Sequence, residues 1–314
     1  MIDQLAEEYS NQPVVVVDYH FSIDTPPLFD PPQARWNVIQ ASEAGLGLTW
    51  VVVDSGRLHH RGAETTAEAY ETYTAMIDDA LARPATAEIN AFWWLDGSSV
   101  KVSATVKNNS AVTLTTGNNA GVYAIVKENG VKYETHTTYQ PGIAAAKTAI
   151  SSLAPGETDT FEIEVPDVDP TDWGKVEIIV LVDYQTAPGE HYDQLQAAIA
   201  TKALDVHPDY HLFFLDDGVT SVPGFTSVVL GNQGLAWTAS SNQTWLSLNP
   251  SSGIVGDAIV MTADGTALEA GWNSAVVTIT DSSETYTTNV IVEIYAASPG
   301  EEINRVFLPV ITRP

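Results

Sequence analysis

Cysteine is absent from the 314 residues. Its absence removes a disulfide scaffold, a thiol nucleophile, a zinc-thiolate centre and a dithiol redox cycle. Positive charge is scarce, with 13 Lys and Arg against 40 Asp and Glu and a formal charge of −27. Such a chain repels phosphate backbones and anionic lipid, so no nucleic acid partner is expected. No apolar run is long enough to cross a bilayer, so no membrane insertion is expected. Charged residues of both signs make up only 17% of the chain. In their place stand Thr, Ser, Val, Ala, Gly and Asn, the usage of secreted all-β modules, and the expected location is extracellular or at the cell surface. The opening MIDQLAEEYS has no basic n-region and no apolar h-region, and reads as the start of a processed product or of a trimmed chain.

The periodicity changes along the chain. Up to Pro84 it is mixed. Asp3 to Tyr9 reads as a short helix, Pro13 to His20 (PVVVVDYH) as a buried strand, Pro32 to Ser42 as a helix and Leu48 to Asp54 as a second strand. Ala63 to Arg83 is the clearest helix: Thr65 or Thr66 can cap it, Tyr70, Tyr73, Met76, Ile77 and Leu81 share one face, and Pro84 closes it. This alternation is α/β in kind. From Ala85 the period is two. INAFWWLDGSSVKVSATVKN predicts a hairpin around Asp96-Gly97 and AGVYAIVKENGVKYET another around Asn129-Gly130, with FEIEVP and GKVEIIVLVDY as further strands. An immunoglobulin-like sandwich ending near Thr201 is expected.

HPDYH, residues 207 to 211, marks a boundary by composition. Between Ala203 and Asn304 there is no Lys or Arg, while twelve acidic residues occur. The strands LAWTAS, TWLSLNP, DAIVMTAD, SAVVTITD and TTNVIVEIY recur there at short spacing and predict a second sandwich. The chain ends on an apolar, β-branched segment, INRVFLPVITRP.

Few residues suggest chemistry. No Gly-x-Ser-x-Gly elbow, P-loop or His-Glu-x-x-His occurs. His59 and His60 with Asp54 make half a metal site at most, and an exposed turn is the simpler reading. His207 and His211 are four apart, but Pro208 and Asp209 between them argue for a linker turn; His191 and Asp193 add little. If an ion is held, the candidate is Ca²⁺ at Asp167, Asp169 and Asp172 of DVDPTDW, since hard cations take several carboxylate oxygens from one tight loop. Otherwise no cofactor is expected. Phe92, Trp93 and Trp94 are consecutive on a strand, so Trp93 and Trp94 point to opposite faces, one to the core and the other to a surface or a domain interface. That surface tryptophan is the candidate for stacking a glycan. Trp237, Trp245 and Trp272 are expected in the core.

Two resemblances add to this reading. VVVVDYH, Asp24, the run Pro31-Pro32-Gln33-Ala34-Arg35-Trp36 and LTWVVVDSGRLHHRG with the following helix resemble the Omp28-type outer-membrane lipoprotein family. That resemblance implies a thioredoxin-like domain followed by an immunoglobulin-like one. It also implies that the active site is lost, because no Cys-x-x-Cys is present and Leu48 stands where the family has the proline facing those cysteines. Residues 215 to 295 are similar to BACON-like sandwiches through Trp237, Trp245, Leu246, Pro250, Gly253 and Trp272; that likeness implies an accessory module of a secreted bacterial protein, of a kind associated with carbohydrate or mucin. The expected fold class is α/β plus all-β: residues 1–84 a degenerate thioredoxin-like domain, 85–203 an Ig-like sandwich, 204–297 a BACON-like sandwich and 298–314 a tail.

In the tail, Val306, Leu308 and Val310 share one face, and Phe307, Pro309 and Ile311 the other; Arg305 and Arg313 bring positive charge to a region without it. Either the tail completes a sheet of its own chain, or it adds to the sheet edge of another copy and builds a homopolymer. The functional expectation is a non-catalytic, extracellular structural or adhesive protein. A carbohydrate-binding accessory protein is the first alternative and a truncated thioredoxin-like oxidoreductase the second.

Overall fold

The structure, a computed structural model, describes residues 2–17, 50–61, 65–132, 137–138, 142–188, 190–220 and 222–301. The chain divides into two compact units, residues 1–201 and 202–314. No helix among the described residues is long and apolar enough to cross a membrane.

In the first unit, α1 (Ile2–Glu8) precedes a stretch at Val14 to Val17 without regular secondary structure. Strands β1 (Trp50–Val53) and β2 (Leu58–Arg61) form an antiparallel hairpin, and α2 (Thr66–Leu81) follows. Thr65 caps α2, accepting from the Glu68 amide at 3.1 Å, which satisfies one of the amides a helix start leaves unpaired. Leu5, Tyr9, Ala69 and Tyr73 are buried together, with Val14, Val51, Tyr70, Met76, Ile77 and Leu81 against them. The valine run forms no strand over Val14 to Val17. Its residues divide between two clusters: Val14 packs against the helical cluster, while Val15 and Val17 pack against Tyr123, Ile125, Ile179 and Leu181. The expected helix at 32–42 and Leu48 lie outside the described residues.

The remainder of the first unit is β-structure. Strands β3 (Ala87–Asp96) and β4 (Ser99–Asn108) are the hairpin at Asp96-Gly97, with Gly97 at φ 62°. After β5 (Leu114–Thr115) come β6 (Gly121–Glu128), β7 (Val131–Lys132), β8 (Thr137–Thr138), β9 (Gly142–Ala149), β10 (Ser152–Leu153), β11 (Thr158–Val165), β12 (Val176–Gln185) and β13 (Tyr192–Lys202). Seven of them form one sheet in the order β11-β4-β3-β13-β12-β6-β9. That sheet folds over on itself: Val100, Val102, Ala104 and Val106 of β4 share a core with Val122, Ala124 and Val126 of β6 and Ile178, Val180 and Val182 of β12. Its two end strands meet where the Thr148 hydroxyl donates to the Glu162 carbonyl at 2.9 Å.

The expected hairpin at Asn129-Gly130 does not form between β6 and β7. Every residue of β6 is buried, and a strand buried on both faces needs ladder partners on both edges. Those partners are β9 and β12, while β7 pairs with β8.

The second unit is a two-sheet sandwich. Its strands are β14 (Leu204–His207), β15 (Tyr210–Leu215), β16 (Phe225–Gly231), β17 (Ala236–Ser241), β18 (Leu246–Asn249), β19 (Ser252–Ile254), β20 (Ala258–Ala263), β21 (Gly271–Asp281) and β22 (Thr287–Ala296). The sheets run β14-β16-β20-β18 and β15-β22-β21-β17-β19. HPDYH is therefore inside this unit, carrying the chain from one sheet to the other. Strand β15 pairs with β22 in parallel. The core is formed by Val206, Phe225, Val229, Ile259, Met261, Val277, Ile279, Val292 and Ile294 around Trp237 and Trp245.

Candidate functional site

The residues singled out by sequence are mostly engaged in structure. His59 and His60 lie in strand β2 rather than in a turn; the His60 ring packs edge-on to Tyr73 at 6.0 Å. Asp54 is committed to two guanidiniums, with its Oδ2 3.0 Å from Arg57 Nε and 2.8 Å from Arg83 Nη1. Arg83 also reaches Asp193 Oδ1 at 2.7 Å, so this quartet ties the β1–β2 turn and the end of α2 to strand β13.

The DVDPTDW loop is organised by donors, not by converging carboxylates. Glu128, 2% exposed, accepts from the Thr171 amide at 3.0 Å, the Asp172 amide at 2.8 Å and the Thr171 hydroxyl. Asp172 caps the following turn through the Gly174 amide at 2.9 Å and lies 3.5 Å from Lys175 Nζ. Asp167 and Asp169 are exposed. Among the described residues no three His, Asp or Glu side chains converge to hold a metal.

His207 is exposed, whereas His211 turns inward. Its Nε2 lies 2.9 Å from Ser227 Oγ, which itself donates to the Pro208 carbonyl at 2.6 Å. Because the hydroxyl proton is used on Pro208, the imidazole is the donor to Ser227. Burial pushes the His211 pKa down, partly offset by Asp209. Ser227 is fully buried, so the pair braces a turn and is not a nucleophile and base.

Trp93 is 6% exposed and stacks on Trp173 at 6.5 Å within the core. A buried ring offers no face to a sugar, so Trp93 is no platform, and Trp94 on the opposite face is half-buried. Arg305, Val306, Phe307, Leu308, Val310, Ile311 and Arg313 lie outside the described residues.

The exposed aromatic surface is elsewhere, on the outer face of the five-stranded sheet. Ala275, Val277 and Ile279 of β21 and Val290, Val292 and Ile294 of β22 point to the core. The alternate residues of those strands, and of β15, therefore point outward. Register places them in three rows: Tyr210, Ile291 and Val276; Leu212, Glu293 and Ser274; Phe214, Tyr295 and Trp272. Trp272 is 61% exposed, Tyr210 47% and Leu212 45%. The expectation that Trp272 is a core residue is overturned, because Trp272 has the opposite strand parity from Ala275 and Val277. Its ring stands edge-on to Tyr295 at 5.2 Å and to Phe214 at 5.9 Å, the T-shaped arrangement that aromatic quadrupoles favour.

Carboxylates hold the phenols in place. Tyr210 donates to Glu293 Oε2 at 2.6 Å and Tyr295 to Glu301 Oε1 at 2.7 Å. Both phenol pKa values are raised, chiefly by these bonds. Glu301 is fixed in turn by the Ser298 amide at 2.8 Å, and the adjacent Gly300 amide donates to Asp217 at 2.8 Å. Tyrosine rings anchored at both ends lose little freedom on binding, which suits a recognition surface.

Sequence reasoning missed Tyr210, Leu212, Phe214, Ile291, Glu293 and Tyr295. The signal was present in YHLFFL and NVIVEIY, which are apolar at both parities. Such a strand is either buried on both faces or presents an apolar one, and periodicity does not separate the two.

No family model matches the chain, and no curated protein matches it in sequence. Among solved structures, it is similar to a structural-genomics target protein from Agrobacterium tumefaciens at 15% identity, over 64% of this chain and 86% of that one, with a TM-score of 0.40. It is also similar to HBP35 of Porphyromonas gingivalis at 12% identity, over 83% of this chain and 81% of that one, again with a TM-score of 0.40. At such scores neither likeness assigns a fold, a family or a function to this chain.

Proposed function

We propose that this is a non-catalytic, extracellular adhesive protein of a bacterial cell surface or matrix, and that its second unit binds a glycan on the Phe214, Trp272 and Tyr295 face. The observation that carries the reading is Trp272, a large ring left 61% exposed while two neighbouring aromatics hold it in place. Contiguous apolar surface of this kind is characteristic of interaction sites, and an amphipathic aromatic face suits a pyranose ring. The first unit acts as spacer or docking body. Its N-terminal part is taken as a thioredoxin-like domain without its active site, supported by a hairpin and packed helix at β1, β2 and α2 and by the lack of cysteine. The sandwich that follows is taken as Ig-like and the second unit as BACON-like.

The test is a glycan array probed with the full chain and with Trp272→Ala. Retained folding with at least about tenfold weaker binding in the variant supports the proposal. Equal binding by both proteins, or no glycan bound by either, sinks it.

A second reading, structural self-association into a homopolymer through sheet edges, is favoured by one observation. Among the described residues β15 is an end strand of its sheet and exposes Tyr210 and Leu212. Edge strands with unpaired backbone groups accept an added strand. Light scattering on the full chain and on a chain ending at Ser298 tests it.

A further inference from the structure

The centre of the outward face is a carboxylate. Of its nine positions, only Glu293 is charged, and it sits between Leu212 and Ser274 across the strands and between Ile291 and Tyr295 along its own. One oxygen accepts from Tyr210; the other, Oε1, has no hydrogen-bond partner among the described residues. Glu293 is half-buried, so this oxygen can accept from a ligand that brings a donor, and most strongly from a cationic one.

The surroundings have the same sign. Between Ala203 and Asn304 there are twelve acidic residues and no Lys or Arg, so this stretch repels an anionic glycan. A second copy of the same face is equally disfavoured, because it would set one Glu293 against another. The exposed Trp272 and the neighbouring Tyr295 add the negative ring faces that attract ammonium groups. Diagonal neighbours on a sheet lie about 7–8 Å apart, which is the relation of Glu293 to Trp272. A sugar stacked on the indole can therefore present a ring substituent to the carboxylate.

We infer that this face selects glycans bearing free amino groups, oligomers of 2-amino-2-deoxy sugars, with Trp272 stacking one ring and Glu293 receiving the ammonium. The inference rests on the glycan-binding reading and narrows it to a ligand class.

Calorimetric titration of the full chain at mildly acidic pH, where the sugar amine is charged, tests it with three probes: a glucosamine oligomer, the same oligomer fully N-acetylated, and spermine. The glucosamine oligomer is expected to bind about tenfold more tightly than the acetylated one. Glu293→Gln should abolish that preference. Tyr210→Phe, which removes only the hydroxyl occupying Oε2, should keep the preference. Thermal unfolding of each variant controls for folding. Equal affinity for the two oligomers, or a preference that survives Glu293→Gln, overturns the inference while the glycan reading stands. Spermine bound as tightly as the amino sugar also overturns it, in favour of a general polyamine site. Failure of both oligomers to bind overturns the inference, and the glycan array then decides the glycan reading by itself.

Discussion

Trp237 and Trp272 belong to neighbouring strands of one sheet and meet opposite environments. Trp237 is 1% exposed, donates from Nε1 to the Ile254 carbonyl at 2.9 Å and lies over Gly253, where an added Cβ would stand 2.8 Å from its Cζ2. Trp237→Ala should cost about 3–5 kcal/mol through cavity formation, whereas Trp272→Ala, which loses only exposed ring contacts, should cost about 0.5–1.5 kcal/mol; chemical denaturation followed on both variants checks the contrast. His211 supplies a pH-dependent case. Its folded pKa is lowered below the ordinary 6.5 by burial. As pH falls through 6.5 the unfolded imidazole takes up a proton that the folded one resists. The stabilisation is thus complete above that pH and is lost below it. Thermal melts from neutral to mildly acidic pH should show a declining midpoint for wild type and a shallower decline for His211→Gln, whose side-chain amide can still donate to Ser227. An identical slope in the two proteins would remove His211 from the effect.

At the scale of elements, the joint that matters most in the first unit is the charged quartet beside the β1–β2 turn. Asp54 and Ser55 adopt φ values of 52° and 56°, a backbone that non-glycine residues enter reluctantly. The Ser55 hydroxyl donates to Gln194 Oε1 at 3.1 Å, and Arg83 joins Asp54 to Asp193. The side chains of Asp54 and Asp193 are only 16% and 21% exposed, so removing the guanidinium takes the cationic partner from a poorly solvated Asp193 and leaves Asp54 with Arg57 alone. Arg83→Met should destabilise the first unit by about 1.5–3 kcal/mol. The loss should be smaller when Asp193→Asn is already present, because the pair acts together. Additive losses across that double-mutant cycle would show that Arg83 is not coupled to Asp193.

For the whole molecule, net charge governs association. At −27 copies repel one another at low salt, and screening shortens that repulsion to about 10 Å at 0.1 M. If sheet edges pair, light scattering should report larger particles for the full chain as salt is raised, and monomers at all salt concentrations for the chain ending at Ser298. The shortened chain lacks Arg305 and Arg313, the only positive charges after Lys202. Monomers from both chains throughout would sink self-association and leave adhesion through the aromatic face as the working role.

Local chemistry made part of this protein legible in its sequence. The lack of thiol chemistry follows from composition. The hairpin at Asp96-Gly97 and the helix capped by Thr65 follow from residues a few positions apart, because turn geometry and capping are decided within that range. The strands of the second unit from LAWTAS onward followed from period two in the same way. What depended on distant packing was not legible. Strand β6 chose β9 and β12 over β7 because both of its faces are buried. The strands on either side of HPDYH belong to different sheets of one sandwich, and β15 runs parallel to β22, a pairing that sequence proximity does not suggest. Trp272 shares its surroundings in sequence with the core strand β21 and yet faces outward. Its parity was readable, but which parity meets the core depended on the opposing sheet, and that sheet is assembled only when Trp237, Val229, Ile259 and Met261 come together from separate strands. Periodicity divides a strand into two faces; only the layer packed against it decides which face water sees.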